Sequence, residues 1–187
     1  MSSLSSVSFA PVTTFSGSSK LPASVLQQSN HRADAEQRAI NDGFRLIDVH
    51  GDGACMFRAV CVSDKGTDSG HLSLRAATID YLRANSSDFS QFLLVEGDPD
   101  ERLSFSDYLH KISLPHQQVG EFALSAVANV LGKQINVYHA NCPPRQYLPK
   151  GRDDLVATSE CVNVLYFDSN SSNNGHYMAL SMSPGEI

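Results

Sequence analysis

Two short segments of this chain carry residue types able to perform nucleophilic chemistry. The first is Asp52-Gly53-Ala54-Cys55-Met56-Phe57-Arg58-Ala59-Val60, where a cysteine follows a glycine-containing turn and opens a helical run. At a helix N-terminus, unpaired backbone N–H groups and the positive end of the helix dipole favour thiolate over thiol. The same N–H groups can receive the oxyanion of an attacked carbonyl. The competing reading is a buried structural thiol beside an ordinary Asp-Gly turn, and the segment alone does not separate the two. The second segment, Asn174-Gly175-His176-Tyr177-Met178-Ala179-Leu180, lies 121 residues after Cys55 and places a histidine where a polar loop becomes a strand. Imidazole, with an unperturbed pKa of about 6.5, takes and returns a proton near neutrality. As one of seven histidines, His176 is more simply a hydrogen-bonded core or surface residue; beside Cys55 it is a base for a thiol.

Positioning these groups falls to elements that apolar spacing predicts. Ala33 to Asn41 reads as a helix stopped by Gly43, Phe44 to Val49 as a strand, and His50 to Ala54 as the turn into a helix beginning near Cys55. Helical spacing recurs at Leu72, Ala76, Ile79 and Leu82; at Phe89, Phe92 and Leu93; at Phe105, Tyr108, Leu109 and Ile112; and at Leu124, Val127, Ala128 and Leu131, before Gly132. Ile135 to His139 alternates like a strand, and Cys142 to Gly151, with three prolines, reads as a loop. Cys161 to Phe167 and His176 to Met182 form a hairpin around the polar turn Asp168 to Gly175. This order predicts an α+β fold, a helical group laid against a small, mainly antiparallel sheet.

A chain of 187 residues suits one domain with a self-sufficient core, and no apolar run approaches the roughly 18 residues of a membrane span. A net charge of -6 repels nucleic-acid phosphates and suits a partner with a basic contact surface. Neither nucleic acid nor membrane is expected as a partner. Four cysteines, at 55, 61, 142 and 161, are too few for a secreted disulfide framework, which favours a reducing, cytoplasmic compartment. His139, Cys142 and Cys161 make at best a poor zinc set, and Cys61, Cys142 and Cys161 read better as small buried hydrophobes. No metal or cofactor is implied. Residues 1–32, dominated by serine, read as a disordered leader preceding a domain at 33–187. They lack the basic start and apolar run of a secretory signal. A sharper reading makes them the export signal of an effector delivered into a host cytosol.

The chain resembles the ovarian-tumour (OTU) cysteine deubiquitinases, a branch of the papain-like superfamily. Asp52 to Ala59 resembles the family's nucleophile motif, and Leu74-Arg75 with Tyr81-Leu82 its next helix. Tyr108-Leu109 and Gly120 to Ala128 resemble its central helices, Ile135 to Tyr138 a core strand, and His176-Tyr177 with Leu180 its closing motif. The resemblance implies a monomer that hydrolyses the bond after the C-terminal glycine of ubiquitin, polyubiquitin or a ubiquitin-like modifier through a Cys55 thioester. His176 is then the general base and acid. Asp52 supports an oxyanion loop whose backbone donors come from Gly53, Ala54 and Cys55, and Asn174 is the candidate that orients His176, since Met178 cannot.

Val119 stands where many relatives carry tryptophan, which alters the expected substrate groove. A non-catalytic ubiquitin-binding module and a different Cys/His peptidase or amidase remain as alternatives.

Overall fold

The computed structural model describes residues 23–90, 104–140, 142–152, 161–168 and 175–182. Among them run helix α1 (Ala23–Asn41), strand β1 (Phe44–Ile47), helices α2 (Cys55–Lys65), α3 (His71–Ala84), α4 (Ser86–Phe89), α5 (Phe105–Ser113) and α6 (Ala123–Leu131), then strands β2 (Gln134–His139), β3 (Cys142–Tyr147), β4 (Cys161–Asp168) and β5 (Gly175–Met182). None of these helices is long and apolar enough to cross a membrane. The α+β expectation holds: one five-stranded sheet in the order β1-β5-β4-β2-β3, antiparallel throughout except for the parallel pair β2 and β4.

Both faces of that sheet are covered. One packs Ile135, Val137, Val162, Val164, Tyr177 and Ala179 against α2, α3, α5 and α6. The opposite face carries Tyr138, Leu165, Met178 and Leu180 under Ala35 and Ala39 of α1. Because successive strand side chains point to opposite faces, two covered faces demand apolar residues at consecutive positions. Val164-Leu165 and Tyr177-Met178-Ala179-Leu180 meet that demand, all at 7% exposure or less.

The structure departs from the sequence reading in several places, among them Cys142 and Cys161, which are half-buried and not the buried hydrophobes expected. Helix α1 begins at Ala23, ahead of Ala33, and takes in residues assigned to the serine-rich leader; residues 1–22 lie outside the described part. Cys142 to Tyr147, expected as loop, is a strand that pairs antiparallel with β2, from Ile135 opposite Tyr147 to His139 opposite Cys142. Pro143 and Pro144 are tolerated there because β3 is the sheet edge, where a missing N–H need not break a ladder. On α3 the buried face is Leu74, Arg75, Thr78, Ile79 and Leu82, whereas Leu72 is half exposed. Two polar residues take core positions by bonding backbone carbonyls: Thr78 Oγ1 donates to Leu74 O at 2.8 Å, and Arg75 is described below.

Leu124 is fully buried in α6 and Leu114 half exposed after α5. In equilibrium denaturation, Leu124→Ala should cost about 3 kcal/mol, while Leu114→Ala should stay within about 0.5 kcal/mol of the parent.

Candidate active site

The turn ahead of α2 is built for close approach. Gly53 has φ +82, the left-handed region open to glycine at no steric cost, and a Cβ there would lie 2.0 Å from the His116 carbonyl oxygen. The loop backbone therefore rests directly on residues 116–117. Ala54 occupies the N-cap position of α2 and has no side chain to cap with, so capping does not consume the first-turn N–H groups. Cys55 follows as the first helical residue, 5% exposed.

Strand β5 delivers the histidine. Cys55 and His176 act on each other's pKa, and the backbone N–H groups of Tyr177 and Met56 also favour charge on the sulfur. Burial pushes the thiol upward, but His176 and the two backbone donors outweigh it, and the net shift is below the ordinary thiol value. His176 is raised, first by the neighbouring Cys55, against burial, and further by Asp48. Immediately before it, Gly175 lies under the ring of Tyr166; a Cβ would come within 2.1 Å of the Tyr166 hydroxyl.

The second imidazole nitrogen is held by a residue that sequence reasoning missed. His176 Nε2 lies 2.9 Å from Asp48 Oδ1, which also accepts the Val49 N–H at 2.9 Å. The His176 bond is the largest influence on Asp48 and holds its carboxyl below the usual range despite partial desolvation. An ionised carboxylate only accepts, so Nε2 carries the proton and Nδ1 is left for the thiol. The Nδ1–Cε1 edge indeed faces the loop, 3.6 Å from where a Gly51 Cβ would stand. Asp48 follows the last residue of β1, Ile47, which pairs with Ala179. Continuing that register sets Asp48 opposite Met178, on the same side of the sheet as His176. Asn174 lies outside the described residues.

Asp52 turns away from the histidine. Its Oδ2 accepts from Arg58 Nη2 at 2.8 Å, and its Oδ1 from Arg58 Nε at 3.3 Å and from Ala54 N–H at 3.1 Å. The bidentate Arg58 contact dominates and holds the Asp52 carboxyl far below the carboxylate range. Arg58 is anchored in turn by Asp68. Asp52 thus ties the loop to α2, in keeping with a supporting position. Its bond engages the Ala54 N–H within the loop, so that this amide is not free to serve an oxyanion, and the expected donors that remain are the amides of Gly53 and Cys55. Of these, Cys55 N–H is at the first helical position and has no intrahelical acceptor.

The family model described as OTU-like cysteine protease matches residues 50–177. The chain belongs to that family. Among curated relatives of this OTU chain, human OTU domain-containing protein 4 is 35% identical over 96 residues, 51% of the chain and 8% of the relative. The mouse UDP-N-acetylglucosamine transferase subunit ALG13 is 26% identical over 182 residues, 91% of the chain and 14% of the relative. The OTU chain thus spans a small fraction of these relatives' length. Of solved structures, the OTUD1 OTU domain superposes with a TM-score of 0.64 at 18% identity, covering 83% of this chain and 97% of that one. An OTU deubiquitinase from Wolbachia pipientis bound to ubiquitin superposes with a TM-score of 0.51 at 14% identity, covering 74% and 96%.

Two groups raise the His176 pKa, and removing either should lower it. By NMR, the imidazole of the parent OTU chain should titrate above about 6.5. Cys55→Ala, which deletes the larger contribution, should move the titration down more than Asp48→Ala does. Identical titrations in all three proteins would refute the arrangement.

Proposed function

We propose that this OTU chain is a thiol-dependent deubiquitinase that hydrolyses the bond after the C-terminal glycine of ubiquitin or a ubiquitin-like modifier. The observation that carries this reading is the pairing of Cys55 with His176, each of which shifts the other's pKa, with Asp48 2.9 Å from the far nitrogen of the ring. Family membership supports thiol chemistry, and structural neighbours bound to ubiquitin support the substrate.

In this mechanism the Cys55 sulfur, its proton held by His176 Nδ1, attacks the carbonyl carbon of the terminal glycine. Negative charge collects on the carbonyl oxygen, within reach of the Cys55 and Gly53 N–H groups. As the C–N bond breaks, His176 gives its proton to the departing lysine amine, leaving a thioester at Cys55. Water then attacks the thioester while His176 accepts one of its protons. Collapse of that intermediate returns the proton to the thiolate pair and releases the ubiquitin carboxylate. Asp48 keeps Nε2 protonated and the ring in place through both halves. Among the described residues Asp48 is the one that orients the ring, and Asn174, expected in that role, lies outside them. Such chemistry needs a reduced thiol, consistent with a reducing compartment.

A ubiquitin probe with an electrophilic C-terminus should form a covalent adduct that maps to Cys55. Cys55→Ala should form none and lose at least about 10³-fold in turnover while keeping its fold. Binding without adduct formation would leave a ubiquitin-binding module, and cleavage of ordinary peptides alone would leave a different peptidase. Full-rate ubiquitin cleavage by Cys55→Ala would end the proposal.

A further inference from the structure

One buried cation close to the site plays no part in the mechanism above. Arg75 of α3 is 2% exposed, its guanidinium carbon 4.8 Å from the centre of the Phe57 ring on α2. Its hydrogen-bond acceptors are all backbone carbonyls. Nη1 donates to Ile112 O at 2.7 Å and Leu114 O at 3.0 Å, and Nη2 to Gly53 O at 2.9 Å and Gln117 O at 2.9 Å. Burying a charge costs its desolvation, and a core this apolar would be served as well by leucine or methionine. What the cation gains is simultaneous contact with two separate segments, the loop before Cys55 and the stretch 112–117.

The Gly53 carbonyl is one end of the planar Gly53–Ala54 peptide, whose other end, the Ala54 N–H, is bonded to Asp52. With Arg75 on the oxygen and Asp52 on the N–H, that peptide cannot rotate. The two flanking peptides contain the N–H groups of Gly53 and Cys55, so both are fixed at the point where they join it. Glycine at 53 supplies no rotational restraint of its own, and the loop leans on the His116 backbone that the same guanidinium helps to hold.

We infer that Arg75 is a positioning residue for the oxyanion loop: by bonding the Gly53 and Gln117 carbonyls together, it holds the Gly53 and Cys55 N–H groups in the orientation that receives the developing oxyanion. The inference rests on the proposed hydrolysis. It also separates two properties of the site. Attack by the thiolate on an alkyl halide develops no oxyanion and needs only Cys55 and His176, whereas acyl transfer needs the loop as well. Lysine keeps the charge but lacks the planar fork that reaches four carbonyls.

The test compares the full chain with Arg75→Lys. Turnover of a fluorogenic ubiquitin C-terminal amide should fall about tenfold to a hundredfold, at the lower end of what loss of an oxyanion donor costs. The loss should lie in kcat with KM little changed, and the rate of Cys55 alkylation by iodoacetamide, with its pH profile, should stay as in the parent. Hydrogen exchange at residues 51–55 and 112–117 should rise together. Parent-like kcat in folded Arg75→Lys would overturn the inference, as would alkylation reduced as much as hydrolysis. Should the variant not fold, the parent decides: one side chain holding both segments predicts that their amides open with a common protection, and widely different protection refutes it. A parent inert towards ubiquitin substrates would instead overturn the proposed function, and the clamp would still stand or fall on exchange.

Discussion

Burying a thiol raises its pKa, and a buried neutral thiol is a poor nucleophile. Cys55 is in that position, nearly closed to solvent at the start of a helix packed on a sheet. What brings its pKa below the ordinary thiol value is first an imidazole carried by a strand 121 residues away in sequence, helped by the Tyr177 and Met56 N–H groups. The fold is arranged around the cost of making that contact. Strand β5 is gripped on both sides, by β1 and β4, so the imidazole at its mouth has little freedom. Tyr166 closes over Gly175 just before it, and the ring of Phe167 lies 5.5 Å from the imidazole, itself stacked under Arg32 of α1.

The carboxylates divide the remaining work by where they are attached. Asp48, 70% exposed in its side chain, serves the ring; Asp52, 16% exposed, serves the loop. Their separation follows from the backbone. Asp48 extends a strand paired with β5 and so shares a sheet face with His176, whereas Asp52 lies past two turns and meets Arg58, which projects from the first turns of α2. Two acids four positions apart thereby hold different parts of one site.

Much of this was legible in the sequence, and what was not has a common cause. Cys55 at the loop-to-helix junction and His176 at a strand start follow from local patterns, as do the helices with clean apolar spacing. Asp48 does not, because its role depends on β1 pairing with β5, a contact between the two ends of the domain that no local pattern encodes. Arg75 was hidden for a related reason: helical spacing assigns the buried face to apolar residues, and an arginine enters it only when distant carbonyls converge to receive it. The strand at Cys142 to Tyr147 was obscured by Pro143 and Pro144, whose effect depends on whether a strand lies at an edge or in the middle. That the Ala54 N–H is engaged within the loop was not legible either, because the reach of Asp52 to it is a matter of side-chain geometry.

The coverage of both sheet faces bears on where this domain can be cut. The span recognised as OTU-like, residues 50–177, excludes α1, β1 and the greater part of strand β5, from Met178 to Met182. A fragment trimmed to that span would retain the thiol and the imidazole yet lose the carboxylate that fixes the ring. It would also turn the apolar side chains of Tyr138 and Leu165 out to water, along with the unpaired edge of the shortened β5, and so invite self-association. The catalytic signature and the smallest self-contained body are thus different lengths of chain.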